Sequence, residues 1–190
     1  ALTALTSGAG NVAVGFKSGA ETTQGINNTA IGYQTMYRDA GLANTNNTFV
    51  GHNSGSGDWT TTASTSNTGI GSGAMQSAME GASNNSAVGY DSLSALTTGD
   101  NNTAVGRASL NAVLGGVQNT AVGSFAGDTI TTGYNNVCIG RTSDVYASGS
   151  INQIVIGEST TGVADNSVTL GNASVTDVYM AQDSGAIVHS

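Results

Sequence analysis

One pentapeptide recurs along this chain. Asn28-Thr29-Ala30-Ile31-Gly32 returns as Asn47-Thr48-Phe49-Val50-Gly51, Asn67-Thr68-Gly69-Ile70-Gly71 and Asn85-Ser86-Ala87-Val88-Gly89. Further copies are Asn102-Thr103-Ala104-Val105-Gly106 and Asn119-Thr120-Ala121-Val122-Gly123, with weaker ones ending at Gly15, Gly140, Gly157 and Gly171. Successive glycines are spaced by 17, 19, 20, 18, 17, 17, 17, 17 and 14 residues. A period near 17 is too short for a strand–helix unit or a propeller blade. It suits one coil of a parallel β-solenoid, in which equivalent strands stack at about 4.8 Å. Each unit reads as a five-residue strand, a glycine, a short second segment such as Ser92-Leu93, and a polar turn such as Thr97-Thr98-Gly99-Asp100.

Stacking places the residue before each glycine in one ladder: Val14, Ile31, Val50, Ile70, Val88, Val105, Val122, Ile139, Ile156 and Leu170. Strand alternation sends the residue two earlier to the same face and the residue between them to the opposite face. That intermediate position holds Ala13, Ala30, Phe49, Gly69, Ala87, Ala104, Ala121, Cys138, Val155 and Thr169, and never Lys, Glu or Gln. Both strand faces are therefore expected to be confined, one by the coil interior and one by another chain, because so thin a coil buries little surface alone. The glycines (Gly15, Gly32, Gly51, Gly71, Gly89, Gly106, Gly123, Gly140, Gly157, Gly171) are expected to supply a positive φ or a close backbone approach. Doubled asparagines such as Asn27-Asn28 and Asn101-Asn102 supply turn chemistry.

Composition agrees with a thin coil. Of 190 residues, 28 are glycine and none is proline; hydrophobic residues are 38% and aromatics 5%, too few to fill a large three-dimensional core. Collagen is excluded, since glycine does not fall at every third position, and recurrent Val and Ile with sparse charge oppose disorder. No apolar run approaches the roughly 20 residues of a membrane helix. A net charge of −8 with four basic residues opposes nucleic-acid binding. The lone Cys138 permits no intrachain disulfide and reads as a small buried side chain. Ala4-Leu5-Thr6 with Gly8 and Asn11 returns as Ala95-Leu96-Thr97 with Gly99 and Asn102, at a constant offset of 91. The chain is accordingly expected to be an excised piece of a longer array.

The Asn-Ser/Thr-small-Ile/Val-Gly repeat resembles the head repeat of YadA-type trimeric autotransporter adhesins, with relatives in bacteriophage tail fibres. The resemblance covers residues 1–175, leaving 176–190 as a cap or transition segment. It implies a left-handed parallel β-roll of about ten coils, a homotrimer around one axis, and adhesion without catalysis at the virion or cell surface. The last spacing, 14, equals that of the adhesin heads, while the 17-residue coils resemble phage versions. Val168-Thr169-Leu170-Gly171-Asn172-Ala173-Ser174, then Asp183-Ser184-Gly185-Ala186 and His189-Ser190, resembles the stretch preceding an endosialidase-type self-cleaving chaperone. That similarity implies Ser190 as a processing end.

Candidate sites follow from departures in the repeat. His52 and His189 are the only histidines and lie far apart along the array, so no Ser-His-Asp constellation is expected. Asp91 and Asp100 could meet on neighbouring coils or chains. The acids are otherwise scattered, and a depolymerase acting at grooves between chains is the alternative function. No calcium-loop pattern, metal cluster or cofactor motif appears. The two longest spacings enclose Tyr37, Arg38, Asp39, His52, Asp58 and Trp59. Insertions in solenoids form loops, often on the binding face, so Tyr37, Arg38, Asp39, His52 and Trp59 are the expected contacts to a host-surface glycan or protein. The alternative is that Tyr37 and Trp59 cover the adjoining coil. Ice binding through Thr29, Thr48, Thr68, Thr103 and Thr120 is disfavoured, because these threonines are expected to share an inward face with Val12, Val137 and Ile154.

Overall fold

The computed structural model describes residues 1–38 and 41–178. Asp39, Ser190 and all but the first three residues of the expected C-terminal segment lie outside the described residues. The described chain is all-β, a parallel β-solenoid with no helix. Its strands are β1 (Val12–Val14), β2 (Thr29–Ile31), β3 (Thr48–Val50), β4 (Thr68–Ile70), β5 (Ser86–Val88), β6 (Thr103–Val105), β7 (Thr120–Val122), β8 (Val137–Ile139), β9 (Ile154–Ile156) and β10 (Val168–Leu170). They form one ten-stranded sheet in chain order, every neighbour parallel. The register pairs repeat with repeat: Ala104 faces Ala87 on one side and Ala121 on the other. Isolated parallel bridges such as Ile26–Thr45–Thr65–Ser83 and Val117–Tyr134–Ile151 continue the stacking outside the strands.

Strands are three residues long rather than five, because left-handed backbone closes each end. The first residue of the asparagine pair takes the left-handed conformation (Asn27 φ 57°, Asn84 φ 61°, Asn101 φ 59°), which asparagine tolerates better than most residues. The repeat glycine closes the other end: Gly32 has φ 141°, and a Cβ there would collide with the carbonyl oxygen of Gly51 in the next coil. Both the positive φ and the close approach thus act at this position.

The second asparagine of each pair turns inward and builds a buried ladder. Asn119 donates its backbone N–H (3.0 Å) and its side-chain Nδ2 (3.1 Å) to Asn102 Oδ1, and Nδ2 also donates to the Gly133 carbonyl at 2.8 Å. The same arrangement runs through Asn11, Asn28, Asn47, Asn67, Asn85, Asn102, Asn119 and Asn136. Gln153 takes the next rung, donating its N–H to Asn136 Oδ1 at 3.0 Å, and its own Oε1 is buried without a partner.

The orientation of the sheet corrects the sequence reading. The small residues point into the coil: Ala87, Ala104, Ala121, Cys138 and Val155 are fully buried. The threonines and the Val/Ile ladder point outward, so the expectation that the threonines face inward is wrong. The reason is cross-section. Leu93, Leu96, Leu110, Val113 and Ile130 fill the core from the opposite wall, leaving room for a methyl group beneath the sheet. Where the small position carries Phe49, the next coil answers with Gly69, whose Cβ would lie 2.6 Å from Phe49 Cδ1.

Candidate functional site: the two long coils

The spacings of 19 and 20 residues shape a cavity between consecutive coils. Gln34 and Asn53 follow the repeat glycines in left-handed conformation (φ 52° and 55°) and stack in register: Asn53 N–H donates to the Tyr33 carbonyl at 2.9 Å. The extra residues then spread Tyr37 and Arg38 from one coil over Ser56, Gly57 and Asp58 of the next. Together they line a cavity of about 300 Å³. Arg38 Nη1 donates to both oxygens of Asp58 at 2.8 Å, across an exposed pair. The Asp58 hydrogen bond and charge raise the Arg38 pKa further above its ordinary value. Lys17 Nζ donates to the Tyr37 hydroxyl at 3.1 Å and sits 4.7 Å from that ring's centroid. The Arg38 guanidinium lies 5.7 Å from the same ring.

Of the five expected contacts, Tyr37 and Arg38 meet at this cavity. Asp39 lies outside the described residues. His52 does not line the cavity; its ring stacks on Tyr33 at 5.2 Å and 6°, and Tyr33 stacks on Phe16 at 5.3 Å, an exposed column at the post-glycine position. Trp59 is 1% exposed and packs edge-on against Phe49 at 5.8 Å, so it belongs to the core and cannot be a receptor anchor. The wide insertion needs a wide side chain beneath it. Gln34, Asn53, Ser56 and Asp58 were not anticipated as wall residues; their signal in the sequence is that Gln34 and Asn53 share one repeat position across the two long coils.

Carboxylates elsewhere do structural work. Asp100 accepts the Ser83 N–H at 2.7 Å. Asp128 lies beside Asp144 and interacts with its side chain. Burial raises Asp144 to about 6 against hydrogen bonds from Thr129 and the Val145 amide, with the Asp128 charge adding to the rise. Burial also pushes the Cys138 thiol up to about 12, aided by Asp144 and Asp128, which makes it a poor nucleophile. Glu80 is partly buried, which raises its pKa, but donors from Thr61, Thr60 and Thr62 overcome that and hold it at about 2. Among the described residues no three His, Cys, Asp or Glu side chains cluster as metal ligands, and no helix is long and apolar enough to cross a membrane. No family model, curated protein or solved structure matches this chain.

Proposed function

We propose that the chain is a rigid segment of a homotrimeric surface fibre, a phage tail fibre or an adhesin, that serves host attachment and carries out no catalysis. One observation carries the reading. Twelve β-branched or leucine side chains of the sheet stand outward with 36–61% of their surface exposed, among them Ile31, Ile70, Val105, Val122, Ile139 and Ile156. The parallel register makes them one continuous stripe. Soluble monomers rarely expose a contiguous apolar patch beyond a few hundred Å², so a second surface of the same kind is the natural cover. Three copies, rather than two, is what the resemblance to YadA-type heads implies.

The test is a spin label on that stripe. Cys138 is buried with its thiol protonated, so a Val105→Cys chain labels selectively at the new cysteine. Dipolar broadening between labels, lost when labelled chain is diluted with unlabelled, is the expected result. Sharp, dilution-independent spectra would contradict it.

A second reading has its own observation. Thr29, Thr48, Thr68, Thr103 and Thr120 belong to the outward face, in register along the sheet. The ground for disfavouring ice binding is thereby removed. A flat outward threonine row in a chain that stays monomeric would serve such a role, and thermal hysteresis in the monomer would favour it over the fibre.

A further inference from the structure

We infer that the cavity between the two long coils receives one pyranose ring of a neutral saccharide. The proposal rests on the attachment reading for its biological sense, while its chemistry comes from the walls. A sugar hydroxyl both donates and accepts, so its site needs both kinds of group close together. Arg38 offers only donors and Asp58 only acceptors, while the Gln34 amide and the Ser56 hydroxyl offer both; Asn53 Oδ1 is buried, so that side chain brings at most its Nδ2 donor. Arg38 and Asp58 neutralise one another through the 2.8 Å contacts, so the cavity presents paired polarity rather than net charge. That favours a neutral ligand over an anion.

The remaining wall suits the apolar face of a sugar. Tyr37 supplies an aromatic ring, and the bond from Lys17 to its hydroxyl fixes the ring's position before any ligand arrives. A Cβ on Gly57 would overlap the Ser77 backbone of the next coil, so this part of the wall stays bare. About 300 Å³ is the lower end of the size range of small-molecule sites, enough for a single ring. Cavity, donors and aromatic ring all come from the two longest coils, of 19 and 20 residues.

Saturation-transfer NMR on the full chain, with the methyl glycosides of glucose, galactose, mannose and N-acetylglucosamine as probes, tests this. At least one glycoside should bind saturably, and Tyr37→Ala and Asp58→Asn should each weaken it by about tenfold or more. Both positions are at the surface, so the melting temperature should stay near wild type. The inference is overturned if no glycoside saturates, if the variants bind like wild type, or if N-acetylneuraminate binds while every neutral sugar fails. A parallel assay of fibre attachment to cell envelopes separates the two claims. Attachment without glycoside binding removes the saccharide site and leaves the attachment reading standing. Glycoside binding without attachment does the reverse.

Discussion

At the scale of single residues, burial decides what each side chain does. Trp59 looks like an anchor in the sequence, since an insertion carrying the only tryptophan suggests contact with a partner. Its position against Phe49 makes it packing instead. Trp59→Ala should therefore lower stability by about 3–5 kcal/mol, as large aromatic truncations in cores do, measured by denaturant unfolding. Ala104 occupies the small position that the sequence marks as confined, so Ala104→Lys places a charge where none fits. With Ala104 fully buried inside the coil, it should unfold the coil itself, leaving a circular dichroism spectrum without β signal.

Two carboxylates shape the pH response. The Glu80 pKa is held near 2, so its stabilising effect is complete above its ordinary value near 4.5 and is lost as pH falls from there toward 2. Asp144 acts in the opposite direction. Raised to about 6, it binds a proton more readily folded than unfolded, and that contribution is lost as pH rises through 6. The melting temperature should accordingly rise between pH 7 and 5, level off as the two effects oppose one another, and fall below about pH 3.8, where Asp144 has no further proton to gain over the unfolded chain. Asp144→Asn should flatten the first limb and Glu80→Gln the second, and unchanged limbs would refute the assignments.

At the scale of the element, the coil was legible because its period and alternation are written in every copy. The ten strand positions, their parallel order and the sides on which side chains alternate all follow from the pentapeptide. Its inside and outside did not follow. Alternation separates two faces without saying which is enclosed, and the deciding side chains, Leu93, Leu110 and Ile130, sit on the far wall, where the repeat is weak. Left-handed backbone was equally hidden. Leu93 (φ 50°), Leu110 (φ 49°) and Met75 (φ 49°) are buried apolar residues in a conformation that costs L-residues roughly 1–2 kcal/mol each, so packing must offset it.

The asparagine ladder is the element's other fastening. Asn102→Ala removes the acceptor for the Asn119 N–H and the donor to the Gly116 carbonyl. Leaving such buried groups unpaired costs about 1–3 kcal/mol each. The expected result is a clear drop in melting temperature, with hydrogen exchange fastest at the amides of the adjoining coils.

At the scale of the whole molecule, the candidate site was half legible. Repeat length pointed to the coils that form the cavity, and to Tyr37 and Arg38 in its wall. The walls from Gln34, Asn53, Ser56 and Asp58 emerge only when consecutive coils are stacked, because residues about 20 positions apart become neighbours. The outward apolar stripe likewise exists only in the stack. The proposed assembly uses the sheet face and the proposed ligand the long coils, so the two readings rest on separate surfaces.

Sedimentation equilibrium of the wild-type chain tests the central claim most directly. A single species at three times the 18.7 kDa chain mass, reduced to one chain by Val105→Asp with Val122→Asp while β structure persists, is the predicted result. A wild-type chain that stays at 18.7 kDa across micromolar concentrations would contradict it.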